Sequence, residues 1–375
     1  MATVHPVDVS VFETATRNMK AISVDPILWQ PVRAGALSLP HRLVMAPMTR
    51  ARSGADGVPT LLNAEYYAQR ASNALIISEG TQPNEDGQGY PSTPGIHNRE
   101  QMVGWSRVVD AVHDAGGTIV IQLMHVGRIS HPSNTVHGRL PVGPSRVIPK
   151  ATIFTNQGMK EIPSPRPLAI EEIRATIDDF RIAASHAIGA GADGVEIHAG
   201  NGYLIHQFLS SNANQRSDDY GGSVANHSRF AIEVVRAVSH EVGAERVGVH
   251  ISPGNALNDI VENQPKELYA GLLRGLEEQH LAYLNVVHGG DEEVVGLVRR
   301  SWNGTLFLNR RGADLSVRVE DIKSGLADAI TVGRETLANP DLVTRVKRGL
   351  PLNDLDLGTL YGGSAKGYTD YPTWD

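Results

Sequence analysis

The segment His198–Gly222 reads HAGNGYLIHQFLSSNANQRSDDYGG. Two histidines, two tyrosines, one arginine, two aspartates and several amides fall within its 25 residues. Imidazole, amide and phenol groups supply hydrogen-bond donors, acceptors and proton-transfer groups. The segment follows directly on Val195-Glu196-Ile197, so these groups stand at the exit of a buried strand. Similar groups follow other apolar runs: Thr49-Arg50, Glu79-Gly80-Thr81, Gln122 with His125, His250, His288-Gly289-Gly290, Asn309-Arg310-Arg311 and Gly333-Arg334. Each alone has a plain structural explanation. A strand-end His can be a packing residue, Asn and Gly make turns, and Glu79 can be half of a buried pair. Independent structural causes would not load every exit on one face.

The elements that position these groups are eight short runs: 42–48, 74–81, 118–125, 194–198, 246–252, 281–288, 305–309 and 329–334. Continuous apolar runs bounded by Gly or Pro suit strands buried on both faces. Helical spacing lies between them. Ile170, Ile173, Ile177, Phe180, Ala184 and Ala187 recur at intervals of three and four, with Gly189 placed to cap the end. Phe230, Val234 and Val238 form a second stripe within 225–242, and further helices are predicted near 98–115, 264–279, 316–325 and 339–348. This alternation predicts an α/β protein built as a single (β/α)8, or TIM, barrel over residues 25–373, with 1–24 as an N-terminal extension. An open doubly wound sheet is the alternative, but no G-x-G-x-x-G follows a first strand. Residues 27–41 are expected to floor the barrel, and the Pro-rich connection 131–167 after strand three to form a lid or hairpin.

Composition narrows the function. A net charge of −7, with no basic run beyond pairs such as Arg299-Arg300, disfavours nucleic acid as a partner. The absence of cysteine excludes disulfides, thiolate metal sites and a Cys nucleophile, and is compatible with the cytoplasm. No run approaches the length of a membrane span, so no membrane partner is expected. There are 15 histidines, yet no H-x-H on strand one and no paired His with nearby strand-end carboxylates, so no metal site is assigned. Gly333-Arg334 precedes what reads as a short helix start. It is either a phosphate cradle of backbone N–H groups and a guanidinium, or an ordinary Gly turn with a surface Arg.

The pattern H-x-x-N-G-Y-L-x-x-Q-F-L-S…N-x-R-x-D-x-Y-G-G-S…N-x-x-R-F, here His198 to Phe230, strongly resembles the old yellow enzyme family of flavin-dependent ene-reductases. Supporting motifs are Met45-Ala46-Pro47-Met48-Thr49-Arg50, Gly87-Gln88-Gly89-Tyr90-Pro91, Gln122 to Arg128, Gly333-Arg334, Ala338 to Leu342 and Asp370-Tyr371-Pro372. The likeness runs from about residue 25 to 373. It implies non-covalent FMN, NADPH or NADH as reductant, and a small-molecule activated alkene that enters after the nicotinamide leaves. Carried over, His198 and Asn201 hold the carbonyl oxygen of an α,β-unsaturated substrate, and Tyr203 protonates the α-carbon. Thr49 reaches the flavin C4 carbonyl and Gln122 the pyrimidine edge. Pro47, Met48 and Gly80 contact the ring system. Asn309, Arg310, Arg311, Gly333 and Arg334 serve the phosphate side. Met124 lines the pocket, and Tyr371 with the lid shapes its mouth. A monomer or homodimer is expected.

Two positions depart from the family pattern. His250 stands where an Arg usually faces the flavin N1–O2 edge, in His250-Ile251-Ser252-Pro253. Either the potential or turnover changes, with pH dependence, or His still donates one bond and little changes. Asn309-Arg310-Arg311-Gly312 replaces an N-G-G turn. Either the arginines pair with the phosphate or Gly312 takes the turn after a one-residue shift. These departures leave open a flavin-dependent oxidase, dehydrogenase or isomerase, or a catalytically impaired flavin-binding barrel. The intact His198, Asn201 and Tyr203 argue against the last.

Overall fold

The computed structural model describes residues 25–374. The expected N-terminal extension, 1–24, lies outside the described residues. The strands in chain order are β1 (Val32–Ala34), β2 (Leu37–Leu39), β3 (Leu43–Met45), β4 (Ile76–Ile77), β5 (Ile119–Leu123), β6 (Val142–Gly143), β7 (Thr152–Thr155), β8 (Gly158–Glu161), β9 (Arg166–Pro167), β10 (Gly194–His198), β11 (Val247–Ile251), β12 (Tyr283–Val287), β13 (Leu306–Asn309) and β14 (Ala329–Val332). Eight of them close into one parallel barrel, β3-β4-β5-β10-β11-β12-β13-β14. These are the eight runs read from the sequence. Helices α1 (Leu61–Ala68), α2 (Arg99–Asp114), α3 (Ile170–Gly189), α4 (Leu204–Leu209), α5 (Val224–Val242), α6 (Pro265–Glu277), α7 (Glu292–Ser301), α8 (Leu315–Lys323), α9 (Arg334–Ala338) and α10 (Leu342–Arg348) flank it.

The reason for closure is in the side chains. Every residue of β10, β11 and β12 is buried, so these strands need cover on both faces. Helices provide it outside: Phe180 and Ala184 of α3, and Phe230, Val234 and Val238 of α5, pack into the core with the strands. Register then places chemistry. Glu196 pairs with Gln122, His198 with His250, and His250 with Asn285.

Residues 27–41 do floor the barrel. Ala34, Leu37 and Leu39 of the β1–β2 hairpin pack against Leu75, Val120, Tyr283 and Phe307 at the strand starts. Gly35, at φ +57°, lets the hairpin turn press onto the backbone of Glu245 and Ala282. The 131–167 connection contains the antiparallel hairpin β7–β8, whose Ile153 is buried with Met124, Val126 and Ile129 above β5. The lid therefore rests on the exit of the third barrel strand.

One capping expectation is corrected. Gly189 is the last residue of α3, and the left-handed turn falls to Gly191 at φ +97°. There the Ala192 N–H reaches back to the Ala187 carbonyl, which drops the chain into β10. The predicted 339–348 helix starts later, at Leu342, because Asn339, the residue before Pro340, is held out of the helical region at φ −128°, ψ 89°.

A buried arginine ties the first and last βα units together. Arg70 lies over the Tyr66 ring at 3.8 Å and donates to the carbonyls of Tyr66, Thr336 and Leu337 at 2.8, 2.9 and 2.7 Å. Arg70→Ala is expected to cost roughly 3–5 kcal/mol, since three buried carbonyls lose a charged donor. Urea unfolding of variant and parent measures this; a loss below about 1 kcal/mol would mean water replaces the guanidinium.

Candidate active site

The strand exits open into one cavity of about 1470 Å³. Its wall brings together Pro47, Met48, Thr49, Gly80, Gln122, Met124, His198, Asn201, Tyr203, His250, Asn309, Arg311, Gly333 and Arg334. Fourteen of the sixteen residues singled out from the sequence thus share one space. Arg310 and Tyr371 do not line it. Arg310 turns outward, where Asp321 and Glu292 hold it at 2.6 Å each. Adjacent side chains on a strand exit point to opposite sides, so one arginine had to leave. The Tyr371 hydroxyl instead accepts from the Asp356 backbone N–H at 3.0 Å.

His198 ends β10. Its Nδ1 accepts from the Gly200 N–H at 3.3 Å, which leaves the proton on Nε2. Burial pushes this imidazole down to about 3, so it is neutral. Asn201 sits in a left-handed turn at φ +52°, a conformation Asn tolerates. Its backbone is pinned by Ser252 Oγ at 2.7 Å and by Asn258 Nδ2 at 2.8 Å. Its side-chain oxygen accepts from Arg311 Nη2 at 2.9 Å and Asn255 Nδ2 at 3.0 Å. Those two donors fix which end of the amide is oxygen. The amide nitrogen therefore faces His198 Nε2 at 3.3 Å and His250 Nε2 at 3.2 Å. Two N–H groups, from His198 and Asn201, stand side by side.

Tyr203 precedes α4, its ring edge-on to His198 at 5.1 Å. Its hydroxyl lies 3.3 Å from that of Tyr90. Burial raises its pKa, against the pull of the Tyr90 bond and the Arg311 charge, so the phenol keeps its proton. Tyr90 and Tyr361, which also lines the mouth, were not singled out as site residues.

Behind this front row lies a buried amide–carboxyl chain. Glu196 is fully buried and accepts from Gln122 Nε2 at 2.7 Å and Asn285 Nδ2 at 3.0 Å. Its Oε1 lies 3.7 Å from His250 Nδ1. Burial raises Glu196 to about 7, while burial, with His198 and Arg311 nearby, holds His250 well below its ordinary value. Position 250 is thus a neutral imidazole, one nitrogen taken by Asn201. The cation beside it is Arg311.

The mouth is walled by residues 357–363, held through their backbone. Arg50 donates to the carbonyls of Leu360 and Gly367 at 2.9 and 2.8 Å, and Arg52 to those of Thr359 and Ser364 at 2.7 and 3.0 Å. Buried Glu79 fixes the origin of both arginines by accepting the N–H groups of Arg50 and Ala51 at 2.9 and 3.0 Å.

The residues fit a flavin nucleotide. The cavity exceeds what one small molecule of ordinary pocket size requires. Two buried polar atoms on its wall, Thr331 Oγ1 and Asn285 Oδ1, have no partner within the protein. Gly333 and Arg334 start α9 at the exit of the eighth barrel strand, where such barrels bind phosphate. Among the described residues, no helix is long and apolar enough to cross a membrane.

Comparison with known proteins agrees with this geometry. The model of the NADH:flavin oxidoreductase / NADH oxidase family matches residues 27–353. A probable flavin mononucleotide-dependent alkene reductase from Leishmania infantum is 40% identical over 93% of this chain and 98% of its own length. The 12-oxophytodienoate reductase 1 of Oryza sativa subsp. japonica is 40% identical over 96% of each chain. The structure of morphinone reductase with tetrahydroNAD superposes with a TM-score of 0.89 at 40% identity, covering 94% of this chain and 98% of that one. The old yellow enzyme homologue from Zymomonas mobilis gives 0.90 at 38% identity, covering 92% and 99%.

Proposed function

The chain belongs to the NADH:flavin oxidoreductase / NADH oxidase family, and from that premise we propose that it reduces the C=C bond of α,β-unsaturated carbonyl compounds with FMN and NAD(P)H. The observation that carries the substrate assignment is the pair of N–H donors of His198 and Asn201 with the Tyr203 phenol beside them. FMN, held there, would supply two-electron hydride chemistry between the nicotinamide and the alkene.

The chain's own residues do the rest. As the β-carbon gains hydride, negative charge builds on the carbonyl oxygen. His198 Nε2–H and the Asn201 amide meet it, each worth on the order of 3 kcal/mol. Both donors are neutral and pre-aligned, so little reorganisation is needed. Tyr203, kept protonated by burial, supplies the proton to the α-carbon. Thr49, Gln122, Gly80, Pro47 and Met48 hold the ring system. Asn309, Gly333 and Arg334 hold the ribityl-phosphate side. Gln122 is well suited to an edge contact, because Glu196 anchors its amide nitrogen. Met124 sets the floor beneath the lid hairpin.

The same reading takes residues 25–373 as one unit, acting in the cytoplasm as a monomer or homodimer. The purified protein is expected to be yellow, to bleach with NADPH without oxygen, and to regain colour with cyclohexenone. A colourless protein that FMN cannot reconstitute sinks the reading. Colour regained only with oxygen points to an oxidase.

A further inference from the structure

Among the described residues, no carboxylate pairs with the charge of Arg311. This arginine sits on the turn after β13, where Gly312 at φ +70° reverses the chain. Because Arg310 is clamped outward by Glu292 and Asp321, the turn delivers the next side chain inward. Its Nη2 reaches Asn201 Oδ1, an oxygen already accepting from Asn255. Among the described residues no carboxylate oxygen comes within 4.0 Å of it. The groups that act on its charge are the phenols of Tyr203 and Tyr361. The imidazoles of His198 and His250 beside it are neutral.

Two other arginines on the cavity wall are committed. Arg318 pairs with Glu335 at 3.1 Å, and Arg52 spends its donors on backbone carbonyls. A guanidinium presents a planar fork of donors that matches a carboxylate, and a neutral amide oxygen is the weaker partner. Arg311 is exposed to the open cavity, so a carboxylate entering there can reach the guanidinium and give it the counter-ion it lacks.

We propose that Arg311 is a carboxylate receptor, and that the alkenes this enzyme takes bear a carboxylate close to their activating carbonyl group. Arg311 reaches the donor pair itself, beside Tyr203, whereas Gly333 and Arg334 stand at the phosphate side. On binding, the carboxylate takes the guanidinium from Asn201 Oδ1. Asn201 keeps its orientation through Asn255, so the grip on the carbonyl oxygen survives. The inference rests on the ene-reductase reading, because it places the anion relative to the carbonyl that His198 and Asn201 hold.

The test uses the FMN-loaded protein and phenols, whose oxygen mimics the substrate oxygen. Dissociation constants come from the change in flavin absorbance for phenol, for 2-, 3- and 4-hydroxybenzoate, and for the matching hydroxybenzamides. At least one acid is expected to bind about tenfold or more tightly than its amide. That ratio should fall to about one in Arg311→Met and be partly kept in Arg311→Lys. FMN affinity, followed by flavin fluorescence, should stay essentially unchanged in both variants. A ratio near one for every isomer in the parent, or a preference that survives Arg311→Met, overturns the assignment. So does a large loss of FMN affinity in Arg311→Met, which would give the guanidinium to the phosphate. Failure of phenol itself to perturb the flavin sinks the ene-reductase reading along with it. Binding of phenol without acid preference sinks this inference alone.

Discussion

Tyr203→Phe is expected to slow reoxidation of the reduced protein by an enone by about 10²–10⁴-fold while leaving bleaching by NADPH nearly unchanged. Only the first half-reaction to involve the alkene needs a proton at carbon. The Tyr203 hydroxyl is the protonated group beside the donor pair, and its ring packs edge-on to His198. Phe keeps that ring contact and removes the hydroxyl that carries the proton. The 3.3 Å contact with Tyr90 is also lost, which leaves the Tyr90 hydroxyl to find water in the cavity. Rapid mixing without oxygen separates the two steps. Equal slowing of both would show that Tyr203 shapes the pocket rather than supplying the proton.

Glu196→Gln is expected to make stability less sensitive to alkaline pH. The Glu196 carboxyl, raised from 4.5 to about 7 by burial, keeps its proton in the folded state where the unfolded chain gives it up. The folded parent therefore binds more protons than its unfolded chain between about pH 4.5 and 7, so its stability falls across that window as pH rises. Two and a half units correspond to about 3 kcal/mol, fully expressed above pH 7. The groups facing Glu196 are the Gln122 and Asn285 amides, His250 and Tyr283. No cation among them offsets the charge. Buried histidines held below their ordinary value tilt the profile the other way below about pH 6.5, but they do so in parent and variant alike. Urea unfolding at pH 5 and pH 8 isolates the difference, because any pH-independent cost of the Gln cancels. A gap between variant and parent that stays flat across those two pH values would show that Glu196 is already ionised at pH 5.

The barrel was legible because its strands are buried on both faces and leave continuous apolar runs. Four helices were not read from the sequence. In α7 only Val294, Val295 and Val298 are buried, behind Glu292 and Glu293. The six residues of α4 lie inside the polar block, where chemistry drew attention away from periodicity. α1 is eight residues long and α9 five. The site was legible by strand exit but not by side-chain direction. Residue types at 309–312 do not say which arginine turns inward; that follows from Asp321 and Glu292, which lie on neighbouring helices. Tyr371 and Tyr361 are both aromatic residues near the mouth, and only the Asp356 N–H decides between them. Glu196 passed as part of a strand. Its signal was present all the same: a lone acid inside Val195-Glu196-Ile197 needs partners, and register supplies them from Gln122 and Asn285.

Arg50 and Arg52 grip the 359–367 segment by its carbonyl oxygens alone, and every residue type offers the same carbonyl. Positions of that rim such as Tyr361 can accept new side chains without changing its course, whereas Gly362, Gly363 and Gly367 are fixed by left-handed turns at φ +65°, +86° and +64°. Natural divergence or directed evolution can therefore trade one clientele of alkenes for another here, while the reacting groups and the scaffold stay as they are.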